Sequence, residues 1–246
     1  MASVDYEQIA STYQIGRSAV AHEDAWGPLV APYLPGRPGL RVLDLGAGTG
    51  IFARVWPGWG ADSVVALDPA QAMLAEARRS GLGERTWPVN ARGEWLPLRD
   101  GSVDVVWIST VFHHLTDRRR CIDDLVRVLR GPGSAVMVRG MFPGRWSGGW
   151  HHLLPGMDRA TQRFPRFEVV SALFAEAGFT LQGIEGVHEA STSGNLVAAW
   201  VRRMRDADTL LLQLTDEEIA AGLAVLDGIG EGTVEGPTLE TAVYVL

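Results

Sequence analysis

The chain has 246 residues, 46% hydrophobic and 21% charged, with a formal net charge of −7, a length that suits one domain with decoration or a domain plus a small lobe. The acidic balance argues against nucleic-acid backbone binding as the main task, because neutralising phosphates needs clustered positive charge. The single cysteine, Cys121, excludes an intramolecular disulfide framework and a Cys-rich zinc site, and suits a reducing cytosol.

Taken in chain order, "MASVDYEQIASTY" is polar and acidic, unlike a secretory signal or a transit peptide. No apolar run approaches the ~20 residues a membrane span needs, so a soluble, cytoplasmic protein with no membrane or nucleic-acid partner is expected. "LRVLDL" (40–45) reads as a strand, with a helix starting near Thr49. "SVVALD" (63–68) is a second strand and "AQAMLAEARRS" (70–80) a helix that Gly81 stops. "RTWPVN" (85–90) is a third strand weakened by Pro88. "VDVVWIST" (103–110) is a continuous apolar run of the buried parallel kind. A helical face follows at 118–130, then a strand, "SAVMVRG", at 134–140. From 141 to 164 the rhythm breaks into Gly, Pro, Trp and His; a helix (166–178) and a strand (180–187) resume it. The 196–226 stretch reads as helical, with "LTDEE" as a capping-type start, and "TLETAVYVL" is the last strand.

Alternating strands and helices imply right-handed crossovers and a mostly parallel sheet covered on both faces, an α/β fold. The tail beyond 141 is expected to be an insertion plus sheet completion within a single domain, 1–246. In such sheets ligands sit beyond the carboxyl ends of the strands, beside the first one. There "VLDLGAGTG" sets Gly46, Gly48 and Gly50 at alternate positions after Asp44. Glycines let the backbone pass under a ligand. The spacing is not the G-x-G-x-x-G of dinucleotide enzymes. A second acid, Asp68, ends the next strand, where it can accept hydrogen bonds from ribose hydroxyls.

"VLDLGAGTG", "VVALDPAQAML", "EWLPLRDGSVDVVWISTVFHHLTD", "VRVLRGPGSAVMV" and "FEVVSALFAEAGF" together resemble the class I S-adenosylmethionine-dependent methyltransferases. The resemblance is to the small-molecule branch that includes the ubiquinone/menaquinone-type enzymes. It covers roughly 35–245 and extends to "DYEQIASTYQIGR". It implies a Rossmann-like seven-stranded sheet with an antiparallel last strand, an N-terminal helical lid within residues 1–34, and an insertion after the fifth strand, 141–164. It also implies S-adenosyl-L-methionine as cofactor. Gly46, Ala47 and Gly48 would run under its methionine part and ribose. Asp44 would bind its ammonium, Asp68 the ribose hydroxyls, and Met73 would pack on adenine. Pro69, Ser109 and His114 would line the same site, and Tyr13 and Arg17 would close over it. Where the family usually has Asp-Ala-Glu before Leu-Pro, this chain has Arg92-Gly93-Glu94, so the acid that takes the adenine amino hydrogens is missing. The Gly93 backbone, Asn90 or Glu94 would serve instead.

The acceptor side is open at this level. His113 and His114 follow the fourth strand, and His151 and His152 lie in the 141–164 break. Each is a candidate general base or a packing residue. Neither pair has carboxylates or cysteines at metal-ligand spacing, and no metal is expected. Phe142, Trp146 and Trp150 suggest an aromatic wall for a small apolar or aromatic acceptor, or lid packing. The expected activity is methyl transfer to such an O-, N- or C-acceptor, in the setting of secondary metabolism. The alternative is a protein of this fold that binds the cofactor without methylating, as a cyclase-type enzyme or a binding protein.

Overall fold

The computed structural model describes residues 5–18, 23–145 and 148–246, the side chains of 17, 18 and 23 excepted. In chain order the elements are α1 (Tyr6–Ser18), α2 (Trp26–Val30), β1 (Arg41–Leu45), α3 (Ile51–Val55), β2 (Ser63–Asp68), α4 (Gln71–Arg79), β3 (Thr86–Asn90), β4 (Val105–Ser109), α5 (Arg118–Val128) and β5 (Ala135–Gly140). Then come α6 (Met157–Thr161), α7 (Phe167–Glu176), β6 (Thr180–His188), β7 (Thr192–Ser193), α8 (Gly194–Met204), α9 (Asp216–Ile229), β8 (Thr233–Val234) and β9 (Thr238–Val245). Among the described residues a seven-stranded sheet has the order β3-β2-β1-β4-β5-β9-β6. β1 to β5 pair in parallel, whereas β9 is antiparallel to both β5 and β6. That is the expected topology. β3 lies at the edge of that sheet, paired with β2, and an edge strand is where Pro88 can forgo a ladder donor.

The period-2 alternation of the strands feeds two cores. Leu43, Leu45, Val106 and Ile108 pack on one face with Ile122 and Leu125 of α5 and Phe174 of α7. Val42, Val105 and Trp107 pack on the other with Trp26, Val30 and Trp56. The sheet is thus buried on both faces, as its near-continuous apolar strands require.

Two differences from the sequence reading matter for function. The N-terminal segment splits: α2 joins the second sheet core, while α1 packs on α4 and α8. The 196–226 stretch is two helices. Asp208 Oδ1 accepts from the backbone N–H groups of Leu210 and Leu211 and turns the chain between them. α9 then starts on the expected capping box, Thr215 with Glu218. Residues 189–237 therefore form a second insertion, before the last sheet strand. Its helices share a third core with residues from 150 to 164, including Trp150, Leu154 and Met157. Among the described residues no helix is long and apolar enough to cross a membrane.

Candidate functional site

β1 ends at Asp44 and Leu45, and the chain then turns on left-handed glycines, with φ of 73° at Gly46, 54° at Gly48 and 75° at Gly50. The loop is tied to the end of β2. Gly46 and Ala47 N–H both donate to Leu67 O (2.7 and 2.9 Å), and Gly48 N–H donates to Asp68 Oδ2 (2.9 Å). The glycines serve different ends. A Cβ on Gly46 would run into the Val111 side chain, while one on Gly48 would meet nothing within 4 Å. Gly46 allows close packing and Gly48 leaves space. Left-handed Gly50 caps α3, which starts at Ile51 rather than near Thr49.

That space is a cavity of about 420 Å³ at the carboxyl ends of β1, β2 and β4, within the range typical of small-molecule sites. Gly46, Gly48, Asp68, Pro69, Met73, Gly93, Glu94, Ser109, His114 and Tyr13, all expected there, line it. Tyr6, Arg92 and Thr110 line it too. Ala47 packs instead against the second sheet core, and Asn90 gives its amide to Asp68 O and Pro69 O (3.0 and 2.9 Å). The Arg17 side chain and Trp146 lie outside the described residues.

Two acids set the electrostatics. Asp44 is 2% exposed beneath the loop, with Oδ2 lacking any hydrogen-bond partner. Burial, and then the charge of Asp68, pushes its carboxyl up to about 8. Asp68 is also raised by burial, against hydrogen bonds from Ala70 and Gly48 N–H. Glu94 behaves oppositely. Burial would raise it, but hydrogen bonds, those from Thr116 and Asp117 among them, outweigh that and hold it below the usual range. His114 borders the cavity surface, and the protein packed around it lowers its pKa. Its Nε2 lies 3.0 Å from Tyr6 Oη.

A second, much smaller cavity of about 20 Å³ adjoins the first across Tyr6, Tyr13 and Thr110. It is room for one water at most. His113, Met141, Phe164 and the 207–210 turn complete its walls. The 141–164 insertion thus contributes its two ends. Among the described residues of its middle, none lines either cavity. Phe142 packs in the first sheet core against Phe167, and Trp150 stacks on His151 and meets Trp200 edge-on in the third core. His151 Nδ1 (3.0 Å) and His152 Nε2 (3.2 Å) both bond the backbone of Gly148. Phe142 and Trp150 thus serve as core aromatics rather than as a pocket wall. The wall residues at 207–210 carried no motif to find them by.

Residues 43–137 match the methyltransferase domain. A malonyl-[acyl-carrier protein] O-methyltransferase from Pectobacterium atrosepticum is 30% identical over 70% of this chain and 69% of its own length. The chain belongs to the S-adenosylmethionine-dependent methyltransferases. S-adenosylmethionine is the cofactor of that family. An uncharacterized methyltransferase of Mycobacterium sp. strain JLS is 35% identical over 67% of this chain, which spans 66% of that relative's length. The [4+2]-cyclase SpnF shares the fold, with a TM-score of 0.60 at 21% identity over 89% of this chain and 80% of that one. The methyltransferase-domain match runs from β1 into β5 and so contains the glycine loop, Asp68 and the His113–His114 pair. α1, Phe164 and the 207–210 turn, which close the smaller cavity, lie outside it.

Proposed function

We propose that this methyltransferase moves a methyl group from S-adenosylmethionine to a small apolar or aromatic metabolite at the junction of the two cavities. The observation that carries this reading is Asp44: a buried carboxylate oxygen with no partner, held under a glycine loop with open space above Gly48. An unpaired buried carboxylate is costly unless a cation joins it, and the cofactor's ammonium is such a cation. Asp68, at the rim, keeps lone pairs for ribose hydroxyls beside its bonds to Gly48 and Ala70. Gly93 and Glu94 line the cavity beside Arg92, where the adenine acid is missing. Met73 offers an apolar face, and Tyr6 and Tyr13 cover the site from α1.

When bound, the cofactor supplies a methyl carbon made electrophilic by its sulfonium. What the protein contributes is alignment and exclusion of water, and orientation alone can supply several kcal/mol. If the acceptor must lose a proton, the base belongs to His113 or His114, which border the cavities, and not to His151 or His152, which brace the Gly148 turn. The lowered pKa of His114 keeps its imidazole neutral, and so able to accept, at neutral pH.

Membership of the ubiquinone/menaquinone-type branch, a role in secondary metabolism, a single-domain organisation and a cytoplasmic location are parts of the same proposal. They rest on the motifs and composition. Incubating the protein with methyl-labelled S-adenosylmethionine and a metabolite extract tests it. Label should pass to a small molecule as S-adenosylhomocysteine accumulates. Calorimetric binding of the cofactor with no label transferred would favour the non-methylating alternative, for which the shared fold of a [4+2]-cyclase is the supporting observation.

A further inference from the structure

Among the described residues Thr110, at φ 54°, is the one non-glycine residue with positive φ. It is β-branched, so the left-handed conformation is a true outlier, and such strain persists only where the surroundings over-determine it. They do so here. Thr110 N–H donates to Arg139 O (2.8 Å), and the Arg139 guanidinium donates to Ser109 Oγ (3.0 Å). The same guanidinium lies over the rings of Trp26 and Phe52, at 5.0 and 5.2 Å from their centres. The turn is clamped from β5.

The clamp sets Thr110 on the boundary of both cavities. Its hydroxyl donates to Ser109 O (2.8 Å), which commits its only proton. What the side chain still offers is lone pairs. An anionic carboxylate facing them would be repelled, whereas an O–H or N–H group would be received. The other walls of the smaller cavity mix the rings of Tyr6, Tyr13, His113 and Phe164 with Met141 and, in the 207–210 turn, Asp208 and Thr209.

We infer that Thr110 is an acceptor-binding residue whose hydroxyl oxygen receives a hydrogen bond from a phenol or aromatic amine. This inference rests on the methyl-transfer reading and narrows it. With the X–H group oriented by Thr110, a lone pair on X faces the larger cavity; as the methyl carbon leaves the sulfonium for X, the proton that X loses passes to His113 or His114, which border the same cavities. Carboxylates are disfavoured by those lone pairs, and plain hydrocarbons gain nothing from them. As it stands the smaller cavity holds one water at most, so a ring is admitted only when α1 and the 207–210 turn move apart, parting Tyr6 Oη from Thr209 Oγ1, which are 3.5 Å apart.

The test is ligand-observed NMR titration of phenol, aniline, toluene and benzoate into protein saturated with S-adenosylhomocysteine. Phenol or aniline should bind at least tenfold more tightly than toluene and benzoate. Thr110→Val should bring them to the toluene level and Thr110→Ser should restore them, each variant being kept saturated with S-adenosylhomocysteine. If the valine variant does not fold, Thr110→Ala makes the same comparison. Failure of phenol and aniline to saturate, binding of toluene or benzoate equal to theirs, or undiminished binding by the variant lacking the hydroxyl overturns the inference. A wild-type protein that does not bind S-adenosylhomocysteine at all sinks the methyl-transfer reading first, which separates the two failures.

Discussion

On the proposed reading, Asp44 serves binding at the expense of stability. With its carboxyl raised to about 8, the folded protein holds a proton there that the unfolded chain releases near the ordinary carboxylate range. The sign follows from linkage. The folded state binds the extra proton between about pH 4 and pH 8, so this group's contribution to stability is present at low pH and is lost as pH rises through 8. Asp68, shifted the same way, adds to the slope. Asp44→Asn should flatten the decline in denaturant midpoint between pH 5 and 9 for the cofactor-free protein. The same change should weaken S-adenosylmethionine binding by roughly tenfold or more, the scale of a lost charge-assisted hydrogen bond. For the wild type, affinity should rise with pH up to about 8 with release of a proton, read from calorimetry in buffers of different ionisation enthalpy. An affinity indifferent to pH would place the ammonium elsewhere.

Among the elements, α1 and α4 are coupled by an unusual cap. α4 is preceded at the cap position by Ala70, whose methyl group cannot satisfy the first N–H groups, and its first turn carries no acid. Glu7 of α1 takes that role, with Oε1 accepting from Gln71 N–H at 2.7 Å and Oε2 from Ala72 N–H at 2.9 Å. A carboxylate at a helix N-terminus is favoured both as a cap and by the helix dipole, typically by about 1 kcal/mol. Here the cap also holds Tyr6 and Tyr13 over the larger cavity. Glu7→Ala is expected to raise the dissociation rate of S-adenosylhomocysteine several-fold in stopped-flow fluorescence while the far-UV spectrum stays native. An unchanged rate would mean that α1 is held by its apolar contacts alone. Neither the cap nor its partner was legible in sequence. "DYEQ" and "LDPAQ" are 64 residues apart, and nothing local in either announces the other.

At the scale of the whole molecule, the lid is assembled from three distant segments. α1, the 141–164 insertion and the 189–237 insertion meet in one core, and Trp200 Nε1 donates to Gly16 O (3.1 Å) across the α1–α8 contact. By intrinsic propensity, replacing Gly16 within α1 would add roughly 1 kcal/mol of helix stability. Its environment reverses that expectation, because a Cβ there would collide with the fully buried Met204 side chain. Gly16→Val should therefore push α1 off α8, lowering both the thermal midpoint and the cofactor affinity. A variant with raised stability and wild-type affinity would show that the two helices do not need so close an approach.

The pattern of the residues by itself determined most of the strands and their mostly parallel α/β arrangement, the glycine loop and the acids at the ends of β1 and β2. These follow from local signals: apolar runs of strand length, turn residues with special backbone freedom, and acids at fixed offsets from them. Only the tertiary structure decided the acceptor side. Phe142 and Trp150 resemble pocket aromatics in one dimension, yet burial drew them into cores, since large aromatic surfaces gain most where water is excluded. Met141, Phe164 and the 207–210 turn took their place at the smaller cavity. Thr110 was equally silent, because its strain comes from the hydrogen bond to Arg139 on a neighbouring strand, and a clamp of that kind exists only once the sheet has formed.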